Sequence, residues 1–269
     1  MIGYMTNAFG PLVGAGGGVT SVKDIRYLTL CDDEDTIRQI SNVGFHGIEV
    51  LEGNLTKYSD DPQVLIDLLA RYDVSMMSVC VGANFIYRDA FEDEMVHLED
   101  VARMGEKVGL KYFVLCGGAI RGKGIQDGDI ELMAEAIGEV QKMTESYGIT
   151  SVFHQHLGSL IERSREVDAF FACSDVAVCP DLAHLQAAGI DPLSFVKKYY
   201  DRIPFVHLKD LDDQGFAPLG TGTVDNRAVI DYMNARGYQG DWLVECDGYA
   251  GDPVEACRTS YQYLEGILV

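Results

Sequence analysis

Eight short apolar runs recur along the chain at a spacing of roughly 30 residues, the length of one strand-plus-helix unit. They are Ile2–Thr6, Gly47–Leu51, Ser75–Val81, Tyr112–Cys116, Thr150–His154, Val176–Asp181, Ile203–Leu208 and Trp242–Glu245. Each is nearly continuous in apolar residues rather than alternating, which is how strands buried on both faces of a parallel sheet read. Between them lie helical patterns with clear ends. Asp61-Pro62, Asp191-Pro192 and Asp252-Pro253 put a capping acceptor before a proline at the first helical position, and Glu255 extends the last into a capping-box-like arrangement. Gly44, Gly109, Gly148 and Gly237 stand where helices should stop, each followed by an apolar residue entering the next strand. Eight such units favour a closed (β/α)8 barrel of the α/β class, a TIM barrel, over an open doubly wound sheet. A length of 269 residues suits one barrel, and with no linker or low-complexity stretch residues 1–269 read as a single domain.

Charge narrows the partners. With 21 basic against 42 acidic residues the formal net charge is −21, and no Lys/Arg cluster offsets it, so a phosphate backbone would be repelled and nucleic acid is not expected. The acidity reads as a solubility feature. No apolar run approaches the length of a membrane span, and the opening MIGYMTNAFG lacks the basic-then-apolar order of a secretion signal. The seven cysteines form no CxxC pair; Cys80, Cys116 and Cys179 fall inside candidate strands and Cys246 directly follows one, as buried free thiols in a reducing cytoplasm would. The glycine stretches Gly14–Gly18 and Gly220–Gly222 miss the dinucleotide fingerprint, because Val19 and Asp225 stand where glycine is required. They read as flexible loops over the barrel mouth, with phosphate binding the lesser alternative.

In a barrel of this kind the active site lies at the C-terminal ends of the strands. There the sequence places Glu49 (strand two), His154 and His156 (five), Asp181 and His184 (six), His207 and Lys209 (seven) and Glu245 (eight). Four of the six histidines thus gather at three strand ends with carboxylates beside them. Imidazole and carboxylate make the donor set for one divalent ion among Mn, Co, Fe, Mg and Zn. His154 and His156, two apart, face the same side of their strand. His46 precedes strand two at the opposite, stability face, and His97 sits in a helical pattern; both read as structural. Glu49 reads either as a substrate-binding carboxylate or as a core carboxylate. Arg121 and Asn7 are further substrate-binding candidates, with Phe9 as a pocket-lining one, and Lys209 is either catalytic or locked to a carboxylate. Trp242 reads as barrel packing.

The motifs His-x-His-x-Gly-Ser from His154, Asp-x-x-His from Asp181, His-x-Lys-Asp from His207, Pro-Leu-Gly-x-Gly-x-Val-Asp from Pro218 and Trp-Leu-Val-Glu ending in Glu245 resemble those of the xylose-isomerase-like superfamily of sugar isomerases, epimerases and dehydratases, and within it the inosose dehydratase branch. The resemblance is carried by roughly residues 145–265; the first hundred residues match in barrel architecture alone. It implies a metal held by Asp181, His207 and Glu245, with His154 standing where many relatives carry glutamate. It also implies His156 as the proton-abstracting base and His184 as a substrate-binding residue.

An ion beside a ketone polarises the carbonyl, so that a base of near-neutral pKa can remove the neighbouring proton and give an enediolate stabilised by the ion. Loss of a β-oxygen substituent then gives elimination, with His184 or Lys209 as acid; reprotonation gives isomerisation or epimerisation. The expected function is therefore a metal-dependent lyase, with manganese the favoured ion, acting on an inosose or 3-keto-glucoside. A ketose isomerase or epimerase is the alternative. Two further classes, metal-dependent DNA repair on the same barrel and non-catalytic sugar binding, fit less well: the first meets an acidic surface, the second has no need of four metal-type ligands. The reading leaves room for a homo-oligomer.

Overall fold

The computed structural model describes residues 1–10, 12–14 and 21–268. Its centre is eight parallel strands: β1 (Ile2–Met5), β2 (Gly47–Leu51), β3 (Ser75–Val81), β4 (Tyr112–Cys116), β5 (Thr150–His154), β6 (Ala177–Val178), β7 (Phe205–Leu208) and β8 (Asp241–Val244). They pair in the order β6-β5-β4-β3-β2-β1-β8-β7. One parallel bridge between Asp181 and His207 closes the seam between β6 and β7, supported by a 3.0 Å bond from the His207 N–H to the Pro180 carbonyl. The (β/α)8 barrel expected from the eight apolar runs is thus the observed fold.

Four strands match the apolar runs residue for residue. Three of the others are trimmed, and β8 is shifted by one residue to Asp241–Val244. Pro204 has no N–H for the ladder, so β7 starts after it. Past β6 the chain reaches Pro180, and Asp181 then caps the next helix, accepting from the His184 N–H at 2.8 Å. Helices begin at Pro62, Pro192 and Pro253 as expected, and Asp191 caps Ser194 at 2.8 Å. The capping box at Asp252 does not form: Asp252 accepts from the Val254 N–H, while Glu255 pairs with Arg258 one turn on. The chain turns left-handed at all four expected glycines, for example Gly109 with φ 72°.

Inside the barrel, alternate residues of each strand point inward, and the lower layers are apolar. Met77, Tyr112, Val114, Val152, Cys179, Phe205 and Leu243 form this plug, with Tyr112 stacked on Phe205 at 4.5 Å between ring centroids. Gly3 and Gly47 make room for Met77: a Cβ at either would stand 2.4 or 2.1 Å from its sulfur. The outward residues, such as Val206, Leu208 and Val244, pack under the helices. The same alternation, continued one step further up β2, β5, β7 and the extensions of β6 and β8, brings Glu49, His154, His207, Asp181 and Glu245 onto the plug. Strand period therefore delivers the polar layer.

Above the strand ends sit two short hairpins, Leu12–Gly14 with Tyr27–Thr29 and Asp210–Asp212 with Gly215–Ala217. Residues 15–18 of the first glycine stretch lie outside the described residues. The second stretch is held by a carboxylate: the N–H groups of Gly220 and Gly222 donate to Asp210 Oδ2 at 3.0 Å each, and that of Val224 to Oδ1 at 3.0 Å. Those amides are therefore spent and do not form a phosphate cradle. Among the described residues no helix is long and apolar enough to cross a membrane.

Candidate functional site

His154, Asp181, His207 and Glu245 each offer a donor atom, and the four atoms lie within 4.8 Å of one another. Two ligands at about 2.2 Å on opposite sides of an ion stand about 4.4 Å apart, so the set fits one ion with little adjustment. Three of these residues also carry buried polar atoms without a hydrogen-bond partner: His154 Nδ1, Asp181 Oδ2 and His207 Nε2. Burial first, then the nearby His207 and His184, holds His154 well below the usual imidazole range, in the neutral form that a metal ligand needs.

Two other triads are close enough to compete, and chemistry ranks them lower. In His154–Cys179–His207, burial pushes the Cys179 thiol up to about 11, so it is not a ready thiolate. In His154–His156–His184, both nitrogens of His184 are engaged: the Leu157 N–H donates to Nδ1 at 3.2 Å and Lys209 Nζ lies 2.8 Å from Nε2.

His207 is held from both sides. Nδ1 is 3.0 Å from Glu245 Oε2 and Nε2 is 3.3 Å from Glu49 Oε2. Lys209, fully buried, reaches Asp181 at 3.4 Å, Glu245 at 3.3 Å and Asp247 more closely, and lies over the Phe216 ring. Burial opposes its charge, but those three carboxylates keep it well above its ordinary value. His156 is different. Its Nδ1 stands 2.8 Å from the Leu157 carbonyl, so that nitrogen must be the donor, and a neutral ring carries its lone pair on Nε2.

These side chains form one end of a cavity of about 960 Å3, where Asn7, His154, His156, His207, Glu245 and Asp247 meet. The sequence profile of the family described as "Xylose isomerase-like TIM barrel" matches residues 37–267. This chain belongs to that family. Inosose dehydratase of Geobacillus kaustophilus is 27% identical over 273 residues, covering 87% of each chain, and that of Clostridium beijerinckii is 23% identical, covering 86% and 88%. Among solved structures, a probable 3-DHS dehydratase from Bacillus anthracis superposes with a TM-score of 0.77 at 13% identity, over 98% of both chains. A 3-keto-D-glucoside 4-epimerase from E. coli gives 0.75 at 17%, again over 98% of both.

The remaining sequence candidates of this family member fall into two groups. Asn7 lines the cavity and donates to Glu245 Oε1 at 3.2 Å and to Asp247. Phe9 lines it too. Arg121 does not: its guanidinium is spent on Asp129 at 2.8 Å and on the Ile86 carbonyl, which ties down the loop after β4. Glu49 is fully buried among the ligand set, too deep to hold a sugar hydroxyl. His184 and Lys209 do not line the cavity, and burial, then Lys209, lowers His184 to about 3.

Two residues that line the cavity were given no place in it by the sequence reading. Asp247 extends the inward alternation from Glu245, and that spacing was the available signal. Against burial, Lys209 and His184 hold its carboxyl well below the usual range. His97, read as structural, lines the cavity although it lies mid-helix in Arg88–Lys107. His46 matches its reading, exposed at the far face with Nδ1 3.2 Å from the Asp73 carbonyl.

Proposed function

We propose that the protein is a metal-dependent carbon–oxygen lyase that dehydrates a keto-cyclitol or keto-sugar, with an inosose or a 3-keto-glucoside as the substrate class. The observation that carries this reading is the pairing, in one cavity, of an N/O donor cluster with a histidine whose free nitrogen is not part of it. The inosose dehydratases at 23–27% identity support the lyase choice. His154, Asp181, His207 and Glu245 would hold the ion, a divalent metal suited to mixed imidazole and carboxylate donors, with manganese favoured here. When bound, it supplies Lewis-acid polarisation of the ketone.

The protein side chains do the rest. Glu49 Oε2, 3.3 Å from His207 Nε2, and Glu245 Oε2, 3.0 Å from Nδ1, hold that ring between two carboxylates and set its orientation. Lys209 anchors Asp181 and Glu245 from behind, and Asn7 fixes Glu245 from in front. His156 Nε2 takes the proton from the carbon next to the ketone. With His184 neutral, the same His156, now an imidazolium, returns a proton to the β-oxygen: the C–O bond breaks, the C=C bond forms and water leaves. His184, Lys209 and Asp247 position this group rather than exchange protons with the substrate.

Incubating the manganese-loaded enzyme with an inosose and a 3-keto-glucoside in D2O tests the reading by NMR and mass. Loss of water or aglycone with a new unsaturated product is the expected result. Interconversion of epimers or of ketose and aldose without loss of mass would move the protein to the isomerase alternative. That alternative shares every step up to proton removal, and a single shuttling His156 also serves it.

A further inference from the structure

The metal end uses only part of the cavity. At about 960 Å3 the space lies near the top of the roughly 300–1,000 Å3 range of clefts that take drug-sized ligands, far more than one polyol ring fills. The half away from the ligand set has apolar walls from Phe9, Val22, Ile25, Tyr27, Leu51 and Val81. Ile25 and Tyr27 are 43% and 45% exposed on its rim, an unusual placement for large apolar side chains that serve packing alone. A polyol, which is hydroxylated all round, gains little from such walls.

Within this half sits one buried polar side chain without a partner. His97 is 3% exposed, and neither ring nitrogen makes a hydrogen bond. Glu52, whose two oxygens accept from the Tyr27 and Gly82 N–H groups at 2.9 and 3.2 Å, lies 3.4 Å from Nε2, so Nδ1 is the ring nitrogen left facing no charged group. Buried polar groups in native proteins are bonded, so an open imidazole on a cavity wall marks a place for a ligand oxygen.

We propose that this half is a subsite for an apolar, ring-sized substituent attached to the sugar through oxygen, an aryl glycoside in the simplest case, with His97 bonding a hydroxyl at its far end. The proposal rests on the keto-sugar reading for the position of the sugar ring. It shifts the substrate class from a free cyclitol towards a glycoside, whose aglycone then becomes the β-leaving group.

Titration calorimetry with three unreactive probes, methyl, phenyl and 4-hydroxyphenyl β-D-glucoside, tests it on the manganese-loaded enzyme. Phenyl should bind about tenfold or more tighter than methyl, from ring burial, and 4-hydroxyphenyl tighter again. His97→Leu should erase the gain of the hydroxyl. Ile25→Asp, a rim change that leaves the core intact, should collapse the phenyl-to-methyl ratio without altering the methyl affinity. Equal affinities for phenyl and methyl, or a phenyl preference that neither variant touches, overturns the subsite. Because no turnover is read, the two readings fail separately. A phenyl preference sensitive to Ile25→Asp keeps the subsite even if no keto-sugar is converted. Conversion of an inosose with no phenyl preference keeps the lyase and removes the subsite.

Discussion

Each end of the barrel holds a cluster of buried charged side chains, and the two clusters are built on opposite terms. At the N-terminal end, Asp241 at the start of β8 accepts from the Met1 ammonium at 2.9 Å on one oxygen, and from Lys111 and the Tyr112 hydroxyl, the latter at 2.9 Å, on the other. Both oxygens are satisfied, and the cations keep contact with water at 42% and 58% side-chain exposure. At the C-terminal end, three carboxylates (Asp181, Glu245 and Asp247) surround one ammonium, Lys209, a fourth, Glu49, faces His207, and several polar atoms have no partner. Buried charge without compensation destabilises a fold. The first cluster is complete in itself and serves stability. The second is short of positive charge, which a divalent ion would supply.

That contrast predicts where substitutions bite. The largest effect falls on Asp181→Ala, which removes a ligand at the seam of the barrel: metal content by elemental analysis should drop from about one ion per chain to almost none, with activity abolished. Retained occupancy and turnover would dismantle the ligand assignment. Next comes His156→Asn, which leaves the cluster whole. Metal content should stay, while exchange of the substrate α-proton in D2O slows by about 10²–10⁴-fold. Native exchange in that variant would send the search for the base elsewhere in the cavity.

The difference between the ends also explains what could be read from sequence. Strand period and strand-end chemistry are local, so the eight runs and the polar side chains at the strand ends were visible, and the family resemblance picked out the four donors and His156 from among them. What a side chain spends its hydrogen bonds on is not local. Arg121 looked free in its loop and is used up by Asp129, eight residues on. Glu49 could be read either as a substrate ligand or as a core carboxylate, and it faces His207 across the barrel. His97 sits on a helix whose apolar face gives no hint of a cavity beside it. The Asp241 cluster was invisible for the same reason, joining residues 130 and 240 positions apart.

Glu49 offers an intermediate test, because it touches the ligand set without touching substrate. Glu49→Gln keeps its size and a hydrogen-bonding oxygen but loses the charge that orients and polarises His207. Metal affinity by chelator competition should fall about 10–100-fold. At saturating metal, KM should be unchanged, since the side chain is fully buried. A raised KM with unaltered metal affinity would return Glu49 to the role of a sugar ligand.

The smallest effect on catalysis, and the cleanest contrast, belongs to Asp241→Asn. Burial works against the Asp241 carboxylate, yet Lys111, the chain's terminal ammonium and the Tyr112 hydroxyl together keep its pKa below the ordinary value. A carboxyl depressed in the folded state stabilises fully above its unfolded pKa, about 3.9, and loses that contribution as pH falls through the folded value. The variant should therefore be less stable than the wild type at pH 7 by about 1–3 kcal/mol, read from urea midpoints. The gap should narrow as the pH drops below about 4, because the wild type then gives up the same charge. Metal content and kcat should not move, since the apolar plug of Met77, Tyr112, Phe205 and Leu243 separates the two ends. A gap that stays constant down to pH 3 would assign the loss to packing around the asparagine instead of to the ion pairs, and a fall in metal content would mean that the two ends of the barrel are energetically one.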